Sequence, residues 1–255
     1  MSEKLRRERP SSSFPGRIGV VIPALNEEGA LPGVLARMPA EVSRVVVADN
    51  GSTDATAQVA ARGGAEVVRE DEPGYGAACL AGIAHLLSHG EPPDVLVFLD
   101  ADGSNDPGAI PELVAPIARG EADLVLGVRR SARGGTGTIQ LHARLGNRFV
   151  LLLSRLLFGR AFRDLPPFRA IRVPAYVALA MDDRNWGWTL QMQLRAVIHG
   201  LRVVEVPLPH GDRTWGRSKI TGSPLMSVRV GLKMFYTLAR ERWRGFSSRN
   251  SSSTE

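Results

Sequence analysis

Four short apolar segments occur in the first hundred residues, and each is followed by polar residues and then by a stretch with helical preference. Segments of this length that are rich in Val, Ile, Leu and Phe are typical of strands buried on both faces of a parallel sheet. Their regular alternation with helices predicts an α/β fold with a doubly wound, mostly parallel sheet and helices on both faces. We expect strands at 17–23, 42–48, 66–69 and 94–99, and helices that begin near residue 24 and cover 55–62 and 77–87.

Asp100 and Asp102 directly follow the fourth of these strands. In an extended chain alternate side chains share a face, so both carboxylates can point toward one ligand. Ligands of α/β sheets bind beyond the carboxyl ends of the strands. Carboxylate oxygens suit Mg²⁺ or Mn²⁺, and Mg²⁺ in proteins is often bound together with substrate phosphates. The pattern therefore indicates a divalent metal site, and the alternative is a solvated turn with two capping acids.

Polar segments also follow the other predicted strands, and short motifs continue into the C-terminal half. In chain order they read VIPALNE at 21–27, DNGSTD at 49–54, GYGAA at 74–78, LDADGSNDP at 99–107, LGVR at 126–129, DL at 164–165 with FRA at 168–170, EVP at 205–207 and R-x-W-G-x-S-K at 213–219. In this order and at this spacing the set resembles family 2 glycosyltransferases of the GT-A fold. Within that family it is similar to the dolichyl- and polyprenyl-phosphate mannose or glucose synthases.

The resemblance implies an inverting transfer of a hexose from a nucleotide sugar, UDP- or GDP-linked, to a polyprenyl-phosphate acceptor. It also implies Mg²⁺ or Mn²⁺ as a cofactor, with Asp100 and Asp102 as the metal ligands. The catalytic residues implied in this way are Asp100, Asp102, Asp106, Arg213 and Lys219. The implied substrate-binding residues are Pro23, Asn26, Glu27, Asp49, Asn50, Arg69, Gly76, Ala101, Gln191 and Ser218.

Some of these residues also have a purely structural interpretation. Asn26 is a preferred helix N-cap residue, and Glu27 would complement the dipole of the same helix. Gly74 and Gly76 permit close approach of the backbone to a ligand, but they also suit an ordinary loop before a helix. Residues 213–219 are either a loop that closes over the donor phosphates, to which arginine can bind bidentately, or a basic surface loop.

Two departures from the family pattern concern the acceptor. Gln191 stands where an acid is usual, and glutamine cannot act as a general base. An acceptor alcohol would need such a base, whereas a phosphate monoester, with a second pKa of about 6, is already largely ionised. Gln191 therefore favours a phosphate acceptor, although Asp106 or Asp164 could be the base for a hydroxyl. The second departure is the pair Pro166-Pro167, which should stiffen the loop of the acceptor region.

Other functions remain as alternatives. One is a glycosyltransferase that acts on a soluble or lipid hydroxyl acceptor, and another is a non-catalytic sugar-nucleotide binding protein. Retention of the acids and of Arg213, Ser218 and Lys219 argues against loss of activity. A sugar-1-phosphate nucleotidyltransferase would need a Gly-rich, basic signature after the first strand, where this chain has PALNE.

Composition places the chain among ordinary globular proteins, with 255 residues, 44% hydrophobic and 23% charged. We assign 1–16 and 247–255 as disordered ends and 17–223 as the glycosyltransferase domain. The N-terminus lacks the apolar stretch of a signal peptide, and no segment has the roughly 18 apolar residues of a membrane span. Cys79 is the only cysteine. We therefore expect a cytoplasmic protein, free or peripheral on the inner face of the cell membrane.

The net charge of +6 is concentrated near the C-terminus, because residues 213–249 contain nine Lys or Arg and one acid. We predict a basic amphipathic helix at 224–246 that lies on an anionic membrane surface. The alternative is a helix that packs on the sheet with a solvated basic side. Nucleic acid is disfavoured as a partner, because an acid-lined crevice would repel phosphodiesters. The apolar face would comprise Leu225, Val228, Leu232, Phe235, Tyr236, Ala239, Trp243 and Phe246, and the basic stripe Arg229, Lys233, Arg240 and Arg244.

Overall fold

A computed structural model describes residues 14, 16–131, 141–216 and 224–251 of the protein. This part of the chain contains seven strands and eight α-helices. Ser218 and Lys219 lie outside these residues, as do 1–13 and 252–255 of the predicted disordered ends. The strands are β1 (Ile18–Ala24), β2 (Val42–Asp49), β3 (Glu66–Arg69), β4 (Val95–Phe98), β5 (Leu124–Ser131), β6 (Arg169–Arg172) and β7 (Val203–His210). The helices are α1 (Leu31–Leu35), α2 (Thr56–Arg62), α3 (Tyr75–Ser88), α4 (Ile110–Ala118), α5 (Leu141–Phe158), α6 (Val173–Leu179), α7 (Trp188–Ile198) and α8 (Pro224–Ser251), and a short 3-10 helix covers Pro107–Ala109.

The strands form one sheet in the order β3-β2-β1-β4-β6-β5-β7. Neighbouring strands are parallel except at β6, which runs antiparallel to both β4 and β5. The prediction of a doubly wound, mostly parallel sheet is therefore confirmed. The strand order reverses between β1 and β4, because β2 and β3 lie on one side of β1 and the later strands on the other. In such sheets, ligands bind at this reversal, beyond the carboxyl ends of the strands.

Alternate side chains of the central strands enter separate hydrophobic cores on the two faces of the sheet. In β1, Val20 and Ile22 belong to the core formed with α1, α2 and α4, whereas Val21 belongs to the core formed with α3, α6 and α7. Trp188 at the start of α7 is completely buried in the second core, with its ring centroid 4.7 Å from that of Phe98. Burial on both faces explains why these strands appear as unbroken apolar runs in the sequence.

The prediction of a helix that begins near residue 24 is wrong, because residues 25–30 precede α1, which begins at Leu31. Asn26 has a positive φ of 51°, outside the right-handed helical region. The backbone N–H groups of residues 26–28 each donate to a side chain between residues 52 and 56. These tertiary hydrogen bonds fix the loop in a non-helical conformation. The other predicted boundaries in the first hundred residues agree with the structure to within two residues.

Helix α8 extends to Ser251, five residues beyond the predicted end of the amphipathic helix at 246. It packs along α5 and α7, where Leu238 is buried in a small core with Leu190 and Leu194. The C-terminal helix is thus attached to the protein along one side, and its other side faces outward.

Within the residues that the structure covers, no helix combines the length and the apolar content that a bilayer-spanning helix requires.

The basic stripe predicted on α8 is engaged mostly in ion pairs within the protein, and its Arg229 and Arg244 are exposed. Lys233 pairs with Asp183 at 2.8 Å. Arg240 and Arg244 pair with Asp182 at 2.6 and 2.8 Å. Both acids precede α7, which they therefore connect to α8. Three of the four basic residues thus hold α8 against the protein, and the sequence could not show this because the acids lie some 50 residues earlier.

Candidate active site

Charged side chains from separate loops lie in the crevice beyond the carboxyl ends of β1, β2 and β4. Glu27 follows β1, Asp49 ends β2, Asp100 and Asp102 follow β4, and Arg213 follows β7. Glu27, Asp49 and Asp102 are buried. The register of the parallel strands brings these residues together, because β1 pairs with both β2 and β4 along its length. The crevice coincides with the reversal of strand order, where a ligand is expected.

Asp100 and Asp102 occupy the turn after β4 with different partners. Asp102 Oδ1 accepts a hydrogen bond from the backbone N–H of Ser104 at 2.9 Å, and its Oδ2 accepts one from Arg213 at 3.0 Å. The Tyr75 hydroxyl donates to Asp100 Oδ1 at 3.4 Å. Burial, together with the nearby charge of Asp102, raises the pKa of Asp100 to about 7. Two neighbouring carboxyl groups disfavour each other's ionised form, and a divalent cation would relieve that repulsion.

The raised pKa of Asp100 predicts a specific pH dependence of stability without metal ions. The ordinary pKa of this group is 3.8, so between about pH 4 and pH 7 the folded state holds the proton more tightly than the unfolded state. The free energy of unfolding should therefore fall as pH rises through this window and level off above about pH 7. We expect Asp100→Asn to remove this contribution, measured by urea unfolding in EDTA across the window. A slope that is identical in both proteins would contradict the raised pKa.

Arg213 connects the loop after β1 to the turn after β4. Its Nη1 donates to Asp102 Oδ2 at 3.0 Å, and its Nη2 donates to Glu27 Oε1 at 2.6 Å. Its Nε is buried and has no hydrogen-bond partner among the described atoms. The guanidinium therefore lies between two buried carboxylates at the point where the strand order reverses.

The residues after Arg213 extend this connection across the crevice. The backbone N–H of Thr214 donates to the carbonyl of Asp102 at 3.0 Å, and the Thr214 hydroxyl donates to the same carbonyl at 3.2 Å. Trp215 lies over Gly29, where an added Cβ atom would come within 2.4 Å of the indole. We call Arg213, Thr214 and Trp215 the strap. The strap contacts both the loop after β1 and the turn after β4.

Asp49 and Asn50, the predicted substrate-binding residues near the end of β2, are held by contacts within the protein. Asp49 Oδ1 accepts from the backbone N–H of Ser52, and its Oδ2 accepts from Nη1 of Arg69, both at 3.1 Å. The Asn50 amide donates to two backbone carbonyls in the loop 70–74 and accepts one backbone N–H from it. These bonds shape the loop, and contact between Asn50 and a nucleotide stays a prediction.

Gly76 lies in the first turn of α3 and has a packing role that the sequence did not reveal. An added Cβ atom at Gly76 would come within 2.0 Å of the carbonyl oxygen of Asp183. At Gly74, where φ is +154°, it would come within 2.1 Å of the carbonyl oxygen of Arg184. That Arg184 carbonyl accepts the N–H of Ala77 at 2.8 Å. Another loop of the chain therefore approaches both glycines closely, and contact between Gly76 and a ligand stays a prediction.

The remaining predicted residues lie on the elements around the crevice. Pro23 lies within β1 rather than at its end, and Ala101 is buried in the turn between the two acids. Asn26 does not cap a helix, because its Oδ1 accepts the backbone N–H of Thr53 at 2.8 Å. Asp106 is exposed and caps the short 3-10 helix that follows it by accepting a backbone N–H at 3.1 Å.

Gln191 is completely buried between α7 and α8. Its Oε1 accepts the backbone N–H groups of Asp182 and Asp183 at 3.2 and 3.0 Å. Its Nε2 donates to Asp182 Oδ1 at 2.7 Å and to Glu241 Oε1 at 2.8 Å. The hydrogen-bonding capacity of the amide is used within the protein, and none remains for an acceptor. Gln191 thus joins the two helices, and its contact with a substrate stays a prediction.

A second polar cluster lies beside Asp100, and of its members only Asp164 was predicted from the sequence to have a role, as a possible base for a hydroxyl acceptor. Arg129 and Asp164 form a bidentate ion pair with N–O distances of 2.7 and 2.8 Å. Arg129 is close enough to Asp100 for their charges to influence each other's pKa. His210 at the end of β7 lies nearby, and burial followed by the charge of Arg129 lowers its pKa. The LGVR motif contained Arg129 but did not by itself indicate this position.

The acidic turn fits a divalent cation that substrate phosphates help to bind. In the described part of the chain, no group of three or more His, Cys, Asp or Glu is arranged to hold a metal ion. Mg²⁺ in proteins is commonly bound through one or two carboxylates together with substrate phosphates. Asp102 Oδ2 already faces a cationic group, since Arg213 lies 3.0 Å away. Asp100 and Asp102 therefore suit a metal ion whose coordination a diphosphate would complete.

Comparison with solved structures places this fold among the GT-A glycosyltransferases. Glucosyl-3-phosphoglycerate synthase from Mycobacterium tuberculosis, in complex with Mn²⁺, UDP-glucose and phosphoglyceric acid, has a TM-score of 0.69 at 24% identity, and the match covers 89% of this chain and 80% of that one. Likeness at this identity shows the fold alone. The family model described as glycosyl transferase family 2 matches residues 19–179. The chain belongs to this family and is a glycosyltransferase.

Relatives with higher sequence identity include proteins that are named for a polyprenyl-phosphate substrate. An uncharacterized glycosyltransferase of Mycobacterium tuberculosis is 43% identical over 210 residues, which cover 81% of this chain and 90% of the relative. The undecaprenyl-phosphate mannosyltransferase of Micrococcus luteus is 31% identical over 245 residues, covering 91% and 98%. The polyprenol monophosphomannose synthase of Mycolicibacterium smegmatis is 32% identical over 230 residues, covering 85% and 86%. The resemblance to polyprenyl-phosphate sugar synthases, stated from the motifs, is confirmed.

Proposed function

We propose that this protein transfers a hexose, with inversion, from a UDP- or GDP-linked sugar to a polyprenyl phosphate in a reaction that depends on Mg²⁺ or Mn²⁺. The observation that carries the proposal is the pair Asp100 and Asp102 at the reversal of the sheet, with Arg213 bound directly beside them. The names of the Micrococcus and Mycolicibacterium relatives support a lipid phosphate acceptor and favour mannose as the sugar.

On the donor side, Asp100 and Asp102 would hold the metal ion against the diphosphate of the nucleotide sugar. The ion neutralises the charge that develops on the leaving nucleoside diphosphate. Arg213 adds a guanidinium whose planar N–H groups match phosphate oxygens. Burial of Glu27, Asp49 and Asp102 keeps these groups in a region of low water content, where electrostatic interactions are strong.

On the acceptor side, the described acids favour a nucleophile that needs no general base. Burial tends to raise the pKa of Asp164, but the hydrogen bonds and charge of Arg129 lower it overall. Asp164 is therefore a weak base, and Asp106 is occupied as a helix cap. A lipid phosphate is already ionised, so its oxygen can attack the anomeric carbon while the bond from that carbon to the diphosphate oxygen breaks. Arg129 would supply positive charge for the phosphate.

A polyprenyl phosphate lies in a membrane, and α5 and α8 present an apolar surface suited to one. Each helix contributes three exposed apolar side chains to this surface, of which Leu156 is 70% exposed. The rings of Phe149 and Phe235 connect the two helices, with their centroids 5.6 Å apart. We call this surface the α5–α8 apolar face. It consists of Phe149, Leu152, Leu156, Leu232, Phe235 and Tyr236.

The charges on these two helices are complementary to an anionic membrane. The segment of α5 contains no acid, and its Arg148 and Arg155 are exposed. On α8, Arg229 and Arg242 are exposed, whereas Glu241 is buried. An apolar helical face with basic neighbours is typical of proteins that lie in the membrane interface. The membrane contact that we propose therefore depends mainly on apolar side chains rather than on the predicted basic stripe.

Replacing two leucines of the apolar face should weaken membrane binding without unfolding the protein. We expect Leu156→Ser combined with Leu232→Ser to lower partitioning onto anionic vesicles about tenfold or more, because each change removes on the order of 1 kcal/mol of apolar burial. Co-sedimentation with vesicles measures the effect, and hydrolysis of the donor by water should be unchanged. Val177→Ser on α6, where Val177 is 60% exposed, is the matched control. Equal loss in the control variant would argue against a specific face.

The proposed function is tested by a transfer assay on the purified protein. UDP- and GDP-linked hexoses are supplied with Mn²⁺ and a short polyprenyl phosphate, and the lipid-linked product is detected by thin-layer chromatography. We expect sugar on the lipid phosphate and no product on the corresponding polyprenol. Transfer to the polyprenol or to a soluble alcohol would instead support the hydroxyl-acceptor alternative. Tight nucleotide binding without turnover on any acceptor would support a binding protein.

A further inference from the structure

We infer that Arg213 acts as an internal cation that occupies the metal-facing oxygen of Asp102 until a donor diphosphate withdraws it. The inference rests on the proposed metal-dependent function and adds an order to it: the metal ion and the nucleotide bind strongly only together. It concerns the strap formed by Arg213, Thr214 and Trp215, all of which lie in the described part of the chain.

Both oxygens of Asp102 are engaged in this arrangement. Oδ1 accepts the backbone N–H of Ser104 at 2.9 Å, and Oδ2 accepts Nη1 of Arg213 at 3.0 Å. A bound Mg²⁺ would lie about 2.1 Å from a carboxylate oxygen. A guanidinium and a divalent ion on the same oxygen repel each other strongly in a buried site, so sharing of Oδ2 is unfavourable. A metal ion that binds Asp102 through Oδ2 therefore competes with Arg213.

Displacement of Arg213 from Asp102 in the absence of a nucleotide would be unfavourable, because Arg213 would lose contacts that it makes in this structure. Arg213 would lose Glu27 as well as Asp102, and both carboxylates are buried. Thr214 and Trp215 hold the strap in place through the Asp102 carbonyl and Gly29. The Arg213 Nε is buried without a described partner, so the guanidinium has a donor still available for a further acceptor.

A diphosphate changes this balance because its oxygens accept hydrogen bonds from arginine in a bidentate manner. The diphosphate can accept the hydrogen bonds of Arg213, and the metal ion can then bind Asp102 Oδ2 in place of the guanidinium. Two ligands that each favour the same rearrangement bind with positive coupling, and the coupling is reciprocal. The strap would thus keep free metal ions weakly bound and make the site complete only when the donor is present.

The test measures Mn²⁺ affinity by the loss of the free-ion EPR signal, with and without saturating UDP or GDP, after subtraction of the Mn²⁺ that the nucleotide binds in the absence of protein. In the nucleotide-free protein, we expect Arg213→Ala to bind Mn²⁺ about tenfold more tightly than the wild type, within the range typical of coupling between sites. With nucleotide bound, the two proteins should bind Mn²⁺ equally. Arg213→Lys, which keeps the charge but cannot bridge both carboxylates, should lie between them in the nucleotide-free state. Arg119→Ala is the control, because Arg119 is exposed and its ion pair in the described part of the chain is with the neighbouring Glu121.

The outcomes separate the inference from the function on which it rests. Unchanged Mn²⁺ affinity in nucleotide-free Arg213→Ala would overturn the inference while leaving the metal site intact. Equal tightening with and without nucleotide would also overturn it, since removal of any nearby positive charge would have that effect. If no protein binds Mn²⁺ even with UDP or GDP, the proposed metal site fails and the inference fails with it. Thermal unfolding of each variant confirms that the comparison is made on folded protein.

Discussion

Asp102→Ala should lower metal-dependent sugar transfer by about a thousandfold or more, since the charge stabilisation that a metal ion supplies is worth several kcal/mol. Asp102 Oδ2 already contacts a positive charge in this structure, the guanidinium of Arg213. Without Asp102, the metal ion would keep Asp100 as its one carboxylate ligand of the proposed pair. The measurement is the rate of product formation at saturating Mn²⁺ and donor. Circular dichroism and thermal unfolding should show a folded protein, because the buried Asp102 belongs to neither hydrophobic core and Arg213 keeps its ion pair with Glu27.

Two further variants make this result specific. Asp102→Asn keeps an oxygen for the Ser104 N–H but loses the charge, and it should be nearly as inactive as Asp102→Ala. Asp106→Asn, in the following cap, should retain most of the activity with a lipid phosphate acceptor. Normal metal-dependent transfer by Asp102→Ala would refute the metal assignment. A large loss in Asp106→Asn would instead indicate a general base and hence a hydroxyl acceptor.

Glu241→Ala should destabilise the protein by about 3–5 kcal/mol, the usual cost of removing one partner of a buried ion pair. Glu241 is 1% exposed, and its Oε2 accepts from Nε of Arg195 at 2.8 Å. Its Oε1 accepts from Gln191 Nε2 at 2.8 Å. Without the acid, Arg195 would keep a buried charge with fewer partners, and α8 would lose its central contact with α7. Urea unfolding at neutral pH measures the change in the free energy of unfolding.

Neighbouring substitutions distinguish this buried cluster from general effects on α8. Arg242→Ala, on the exposed side of the same helix turn, should change stability by no more than about 0.5 kcal/mol. Arg240→Glu and Arg244→Glu would each place a negative charge against Asp182. We expect both to lower the free energy of unfolding, because they weaken the contact between α8 and the rest of the protein. If Glu241→Ala cost less than about 1 kcal/mol, the cluster would not be what holds α8 in place.

The class of the fold and the position of the candidate site could be predicted from the sequence. Strands buried on both faces appear as continuous apolar runs, so β1, β2 and β4 could be located from short-range pattern alone. Parallel strands end on the same side, so Asp100 and Asp102 could be assigned to the ligand crevice before any coordinates were known. The spacing of the motifs was sufficient to identify the family, which the family model over residues 19–179 confirms.

The partners of individual side chains became known from the three-dimensional structure. Asn26 appeared to be a helix cap, Gln191 a substrate contact, and Lys233 part of a membrane-facing stripe, yet each is bound to residues elsewhere in the fold. The Arg213–Glu27 pair joins residues 186 positions apart. A residue type limits what a side chain can bind, but its partner is chosen by which elements pack together. Long-range packing is not contained in local sequence pattern, and for that reason the strap and the anchoring of α8 became visible only in three dimensions.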